Sequence, residues 1–203
     1  MIVARGADGL GERPRQVRIH VEMSHRVIQE WRGAEVETLE DLLRPGLRAV
    51  VVGINPAPVS VAAGHYYQGR LGQVFFGRLR RAGVLTDTRG GWEDDIAFAA
   101  GIGFTDIVKR PTANASEIPT DELDYGKSML TSKLDAVRPR AVFFTFKKTA
   151  TVIFGPFAGS GFIDKTLAQG EVFVMPGPYE RSDRVEPVLV ELAAWWQGRV
   201  RRR

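Results

Sequence analysis

Apolar residues recur along this chain in two different rhythms. Val50, Val51 and Val52 form an unbroken β-branched run, which predicts a buried strand over 49–54. Similar runs predict strands over 104–108, 141–146 and 171–175. Between them the spacing changes to three and four. Val74, Phe75 and Leu79 alternate with Arg78, Arg80 and Arg81, which predicts an amphipathic helix over 71–82. Leu123, Leu130, Leu134 and Val137 form one stripe of a helix over 120–137, stopped by Pro139. Further helices are predicted over 92–100, 147–154 and 184–197, the last carrying Val188, Leu189, Leu192, Trp195 and Trp196. Two short helices are expected earlier. One covers 27–31. The other covers 38–43, with Thr38 as its N-cap and Asp41 three residues on, and ends at Pro45-Gly46.

Alternating strands and helices argue for a parallel sheet covered on both faces. The fold class expected is α/β: a three-layer α/β/α sandwich whose central, mainly parallel sheet has about four strands. The organisation expected is an N-terminal extension over 1–36, one domain over 37–198 and a basic tail over 199–203.

Composition narrows the class. The chain has 203 residues, enough for one domain. It is 44% hydrophobic and 26% charged, ordinary for a globular protein, and no apolar stretch nears the ~20 residues of a membrane span. Met1 to Gly11 lacks the apolar core of a signal peptide. There are no cysteines, which removes disulfides, thiol nucleophiles and cysteine-held metals. His20, His25 and His65 are scattered in sequence, so no metal site and no cofactor is expected. Net charge is +4, mildly basic, as in many nucleic-acid binders and many proteins that are not. Arg13, Arg15 and Arg18, with Arg199 and Arg201 to Arg203, either contact phosphates or are frayed ends. A cytoplasmic protein, in a bacterial nucleoid and monomeric, is expected.

The candidate chemistry concentrates where the first strand stops. Gly53-Ile54-Asn55-Pro56-Ala57-Pro58 forces the chain out of the sheet and leaves Asn55 at a strand's carboxyl end, where open α/β sheets place their ligands. His65, Tyr66 and Tyr67 follow between Gly64 and Gly69, and aromatics on such a loop suit a flat ligand. The plain alternative is an ordinary turn with core tyrosines.

Gly53-Ile54-Asn55-Pro56 followed by Gly64-His65-Tyr66-Tyr67 resembles the first motif of the mismatch-specific uracil-DNA glycosylase and thymine-DNA glycosylase family. Gly103-Phe104-Thr105-Asp106-Ile107-Val108-Lys109-Arg110-Pro111-Thr112 is similar to its second block. A degraded third runs from Val174 to Ser182. The resemblance covers most of the chain and implies a monofunctional hydrolase of uracil, especially opposite G, in double-stranded DNA, with related damaged pyrimidines as further substrates and base flipping as the means of access. It implies that Asn55 positions the attacking water and that Tyr67 stacks on the flipped base, worth ~1–3 kcal/mol. Gly53, Ile54 and Ala57 would edge the base pocket, with backbone N–H groups near a uracil carbonyl. Ala57 replaces the family's glycine and narrows the space beside the base. Of His65 and Tyr66, one is expected at the pocket rim and the other inside.

Asp106 departs from the family pattern. A carboxylate there points toward the same edge as Asn55 and serves either as a general base or as charge for a cationic sugar; the alternative is a capping aspartate. In the third block Arg181 stands where the family has a wedge leucine, preceded by Tyr179 and followed by Ser182, with Gly177 in place of an asparagine. Arg181 either enters the duplex or lies on a surface turn. Lys109, Arg110, Lys147 and Lys148 are expected to contact phosphate, or else form a solvated face, and Gln73 is a substitute base-reading amide. The rival classes are a non-catalytic protein that binds damaged or mismatched DNA, and an unrelated nucleoside hydrolase.

Overall fold

The computed structural model describes residues 24–85 and 91–198. The arginines at 13, 15, 18, 199 and 201–203, and His20, lie outside them.

A hairpin comes first: β1 (Arg26–Trp31) pairs antiparallel with β2 (Ala34–Leu39). Its two-residue loop, Arg32-Gly33, has both φ positive, at 54° and 82°, the pattern of a type I′ turn. The short helices expected over 27–31 and 38–43 are therefore absent. Along β1 alternate residues face outward, a period of two that overrides helical spacing. Thr38 is a buried strand residue and not a cap.

The central sheet has five strands: β3 (Ala49–Gly53), β4 (Ile102–Asp106), β5 (Ala141–Phe144), β6 (Gly161–Leu167) and β7 (Gly170–Val174). Their spatial order is β4-β3-β5-β7-β6. The first four in that order run parallel, and β6 closes one edge antiparallel to β7. β6 is the strand the sequence pattern does not announce. Asp164 and Lys165 interrupt it and its register shifts between Ile163 and Thr166, devices that keep an edge strand from pairing further.

The helices are α1 (Pro58–Ala63), α2 (Arg70–Arg81), α3 (Glu93–Ala99), α4 (Thr120–Val137), α5 (Lys147–Phe154) and α6 (Ser182–Trp196). The α4 and α5 bounds agree with the sequence spacing residue for residue, and α1 adds a short turn after Pro58. Side-chain alternation along β3 separates the core into two. Val51, with Phe104, Phe143 and Phe173, packs under Phe75, Phe76 and Leu79 of α2 and Leu189, Leu192 and Trp195 of α6. Val50 and Val52, with Val142, Phe144 and Val174, pack against Leu130 and Leu134 of α4 and Ala150 of α5. The result is a three-layer α/β/α sandwich, with five strands where about four were expected. Among the described residues no helix is long and apolar enough to cross a membrane.

Candidate active site

The sheet order fixes where a site forms. From β3 the chain crosses to β4 on one side, then returns past it to β5 on the other. Connections leaving the carboxyl ends of β3 and β5 therefore diverge and open a crevice, the usual ligand position in such sheets. A cavity of about 430 Å³ lies there. Its walls are Ile54, Asn55 and Ala57 after β3, Tyr67 and the first turn of α2, Thr112 to Ala115 after β4, and Thr145, Phe146, Lys148 and Thr149 after β5.

Asn55 is locked in that wall. Its Nδ2 donates to the Pro56 carbonyl at 3.0 Å, the Thr112 carbonyl at 3.2 Å and Thr112 Oγ1 at 2.9 Å. Thr112 Oγ1 donates onward to the Asn114 carbonyl at 3.0 Å, so it can only accept from Asn55. With the amide nitrogen committed, the Asn55 carbonyl oxygen is the group left to accept a hydrogen bond, for example from a water.

Asp106 is the immediate neighbour of Gly53 across the β3–β4 ladder. It is 2% exposed, and among the described residues neither carboxylate oxygen has a hydrogen-bond partner. Its Oδ1 lies 2.1 Å from where a Cβ on Gly53 would stand, so only glycine fits at position 53. Burial pushes its carboxyl up to about 7, against the opposing pull of the Lys109 ammonium. Asp106 does not form part of the cavity wall, whereas Tyr67 does.

Tyr67 lines the cavity and rests on Phe75, Phe76 and Phe104, with ring centroids 5.7–5.9 Å apart. Its hydroxyl, buried and without a partner among the described residues, lies 3.0 Å from the same point above Gly53 that Asp106 Oδ1 approaches. Its φ of 59° is unusual for a residue with a side chain. Gly72 makes room for it: a Cβ there would lie 2.1 Å from the Tyr67 carbonyl oxygen.

Several sequence expectations need correction. His65 and Tyr66 both pack inward and neither reaches the rim. His65 is buried, stacked on Trp92 at 4.2 Å, with Nδ1 3.0 Å from Asp94 Oδ1. Tyr66 is fully buried and donates its hydroxyl to the Glu40 carbonyl. Lys109 is 1% exposed, and its Nζ is held by Asp41 at 2.5 Å and the Leu39 carbonyl at 3.1 Å, so it faces no phosphate. Asp41 also takes Lys133 and the Thr105 hydroxyl. Arg110 forms a forked pair with Glu122, which also accepts from Trp31 Nε1. Gln73 bonds Gln68 and lies outside the cavity wall. Lys147 and Lys148 are exposed, and Lys148 borders the cavity.

Beyond β7 the chain leaves the same sheet edge as Gly177-Pro178-Tyr179-Glu180-Arg181. Tyr179 is 77% exposed; Arg181 is exposed, with Nε 3.2 Å from Asp183, and Ser182 opens α6. Sequence spacing missed what anchors this loop. Arg78 reads as the polar face of α2, yet it is 5% exposed and donates to the Pro176 carbonyl at 2.5 Å and the Gly177 carbonyl at 2.9 Å. Only its place among apolar neighbours, Phe75 and Leu79, hinted at that.

Compared with known families, residues 40–190 match the sequence model of the Uracil DNA glycosylase superfamily. The matched span opens just before β3 and closes within α6, so it contains every element that builds the cavity.

Proposed function

The chain belongs to the uracil DNA glycosylase superfamily, whose members are DNA glycosylases of the hydrolase class, and we propose that it removes uracil from double-stranded DNA, most readily opposite guanine, as a member of the mismatch-specific branch. The observation that carries this reading is Asn55: an amide clamped through its nitrogen, beside an aromatic ring, at the carboxyl end of the strand where the sheet opens.

The reaction is a hydrolysis. The base leaves the stack and enters the cavity against Tyr67. A water accepted by the Asn55 carbonyl oxygen attacks C1′ of the sugar. The N-glycosidic bond breaks, its electrons leave with the base, and the water's surplus proton passes to a base or to solvent. Backbone N–H groups at the Ile54–Ala57 turn favour the anionic leaving group. Asp106, buried outside the cavity wall, lends negative charge to the cationic sugar through space when it is ionised. The Ala57 methyl narrows the pocket and favours uracil over bulkier bases. Tyr179 and Arg181, on the loop anchored by Arg78, occupy the space left in the duplex, with Arg181 reaching guanine.

A second reading, binding of damaged DNA without cleavage, draws on one observation: Asp106 does not line the cavity. Release of free base from labelled duplexes separates the two. Uracil release from G:U exceeding that from A:U and from a single strand, leaving an abasic site and an uncut strand, supports hydrolysis. Asn55→Ala should slow single-turnover release by about 100-fold or more while the protein still binds duplex. Tight binding with no base released would overturn the hydrolytic reading, and cleavage of free deoxyuridine at a comparable rate would overturn the duplex requirement.

A further inference from the structure

Two of the chain's three histidines meet in space although 40 residues separate them in sequence. His25, just before β1, His65, after α1, and Asp94 and Asp95, in the first turn of α3, each bring one donor atom into a group whose members all lie within 4.8 Å of one another. His25 Nε2 is 2.6 Å from Asp95 Oδ1, and His65 Nδ1 is 3.0 Å from Asp94 Oδ1. His65 and Asp94 are buried, His25 is largely buried, and Asp95 has a side chain 38% exposed. None of the four lines the cavity.

We propose that His25, His65, Asp94 and Asp95 bind one divalent transition-metal ion of the zinc type, which fastens the segment leading into the β1–β2 hairpin to the loop that carries Tyr67.

Charge is the first argument. The group places two carboxylates together with two imidazoles, and among the described residues no lysine or arginine pairs with Asp94 or Asp95. Arg80 passes close by in sequence terms but pairs with Glu93. Two carboxylates this close together with no fixed cation among the described residues form an anionic cluster that a divalent ion bound between them would balance.

Geometry is the second. Nitrogen and carboxylate ligands bind zinc at about 2.0–2.2 Å, so tetrahedral donors stand about 3.3 Å apart. The two His–Asp pairs, at 2.6 and 3.0 Å, lie inside that spacing, and the remaining separations, all within 4.8 Å, have to close by no more than about 1.5 Å. Two nitrogens with two oxygens suit zinc and its neighbours, whereas magnesium and calcium favour all-oxygen shells.

Support from the surroundings is the third. Asp94 Oδ2 accepts the Tyr66 backbone N–H at 2.7 Å, which orients its carboxylate. The His65 ring is stacked on Trp92, interplanar angle 12°, and so cannot swing freely. The His25 backbone N–H donates to the Gly64 carbonyl at 2.8 Å, one residue before His65. Ligands are held in place by main-chain and ring contacts that a metal would not have to create.

The full-length protein, purified without a histidine tag and stripped by chelator, tests this. Added Co²⁺ should give the intense visible absorption of a four-coordinate site, saturating at one equivalent and abolished by one equivalent of Zn²⁺. In calorimetric titration, His25→Ala and Asp95→Asn should each weaken Zn²⁺ binding by about 100-fold or more while circular dichroism stays native. No saturable Co²⁺ signal would overturn the proposal, and so would a signal that both variants retain. Should His25→Ala fail to fold, Asp95→Asn decides alone, because its partly exposed carboxylate can be replaced by an isosteric amide without opening the core.

Discussion

Replacing Asp106 by asparagine should make this protein more stable above neutral pH while lowering its activity. In the unfolded chain the carboxyl titrates near 3.8; in the fold burial lifts it to about 7. Between those values the native state holds a proton that the unfolded state has released, so stability falls as pH rises through the window and levels off above it. The gap corresponds to about 4 kcal/mol of stability withheld at alkaline pH. No discount for solvent applies, because the side chain is buried and neither oxygen has a partner among the described residues. Asparagine has the same shape and never ionises. Asp106→Asn should therefore gain up to about 4 kcal/mol at pH 8.5, which for a chain of this size raises Tm by on the order of 10 °C. At pH 5 roughly a third of that gain should remain. Denaturant and thermal unfolding of both proteins at the two pH values measure it. The proposed hydrolysis adds a second readout: single-turnover uracil release by the parent should rise with pH and level off above about 7, and the variant should be slow throughout. A gain that does not grow with pH would refute the isolated buried charge. Unchanged release by the variant would refute its role in chemistry and leave the stability argument standing.

Three further outcomes follow from contacts around the cavity. Lys109→Met removes one of the two ammonium groups that hold Asp41, leaving Lys133 and the Thr105 hydroxyl, and should cost about 1–3 kcal/mol in urea unfolding, without reducing the salt dependence of duplex binding as loss of a phosphate contact would. Arg78→Ala removes both donors from the Pro176 and Gly177 carbonyls; it should cost about 1–3 kcal/mol and slow release from matched duplex more than from a single strand, since only the former needs the Tyr179–Arg181 loop. Tyr67→Phe deletes an unpartnered buried hydroxyl and should leave stability equal or higher and release within a few-fold of the parent, whereas Tyr67→Ala should lose the ~1–3 kcal/mol of base stacking; equal losses in the two variants would show that the hydroxyl takes part in the reaction.

What the sequence disclosed depends on the range of the interaction that decides each feature. Strands β3, β5 and β7 are buried on both faces, so their apolar runs are visible one residue at a time. Asn55 stands out because Gly53 and Pro56 end the strand around it. The hairpin was hidden because Arg32 adopts a positive φ in place of the usual Asn or Asp, and β6 because an edge strand carries charge for protection. Lys109 is the instructive error. A lysine beside an arginine after a strand reads as surface, and the partner that buries it, Asp41, lies 68 residues earlier. His65 with Asp94, 29 residues apart, and Arg78 with Pro176, 98 apart, went unread for the same reason. Local pattern reports burial of apolar groups well, but burial of a polar group requires its partner, and partners here come from other elements.

Tyr67 is the point at which fold and site constrain each other. A non-glycine residue at φ 59° costs about 1 kcal/mol or more and persists only where the surroundings leave no alternative. Those surroundings are two missing side chains. Gly72 lets the first turn of α2 press against the Tyr67 backbone from one side, and Gly53 lets the Asp106 carboxylate and the Tyr67 hydroxyl approach one point from the other. A Cβ at either glycine would push the ring away from the cavity or the carboxylate away from the ring. The arrangement withholds stability twice, once as backbone conformation and once as an uncompensated charge, and neither is needed to close the sheet or to cover its faces. Folding alone supplies no reason for such a sequence. Both features become intelligible if the ring must present a face to the cavity while keeping the carboxylate dry enough to stay near neutrality until a substrate arrives.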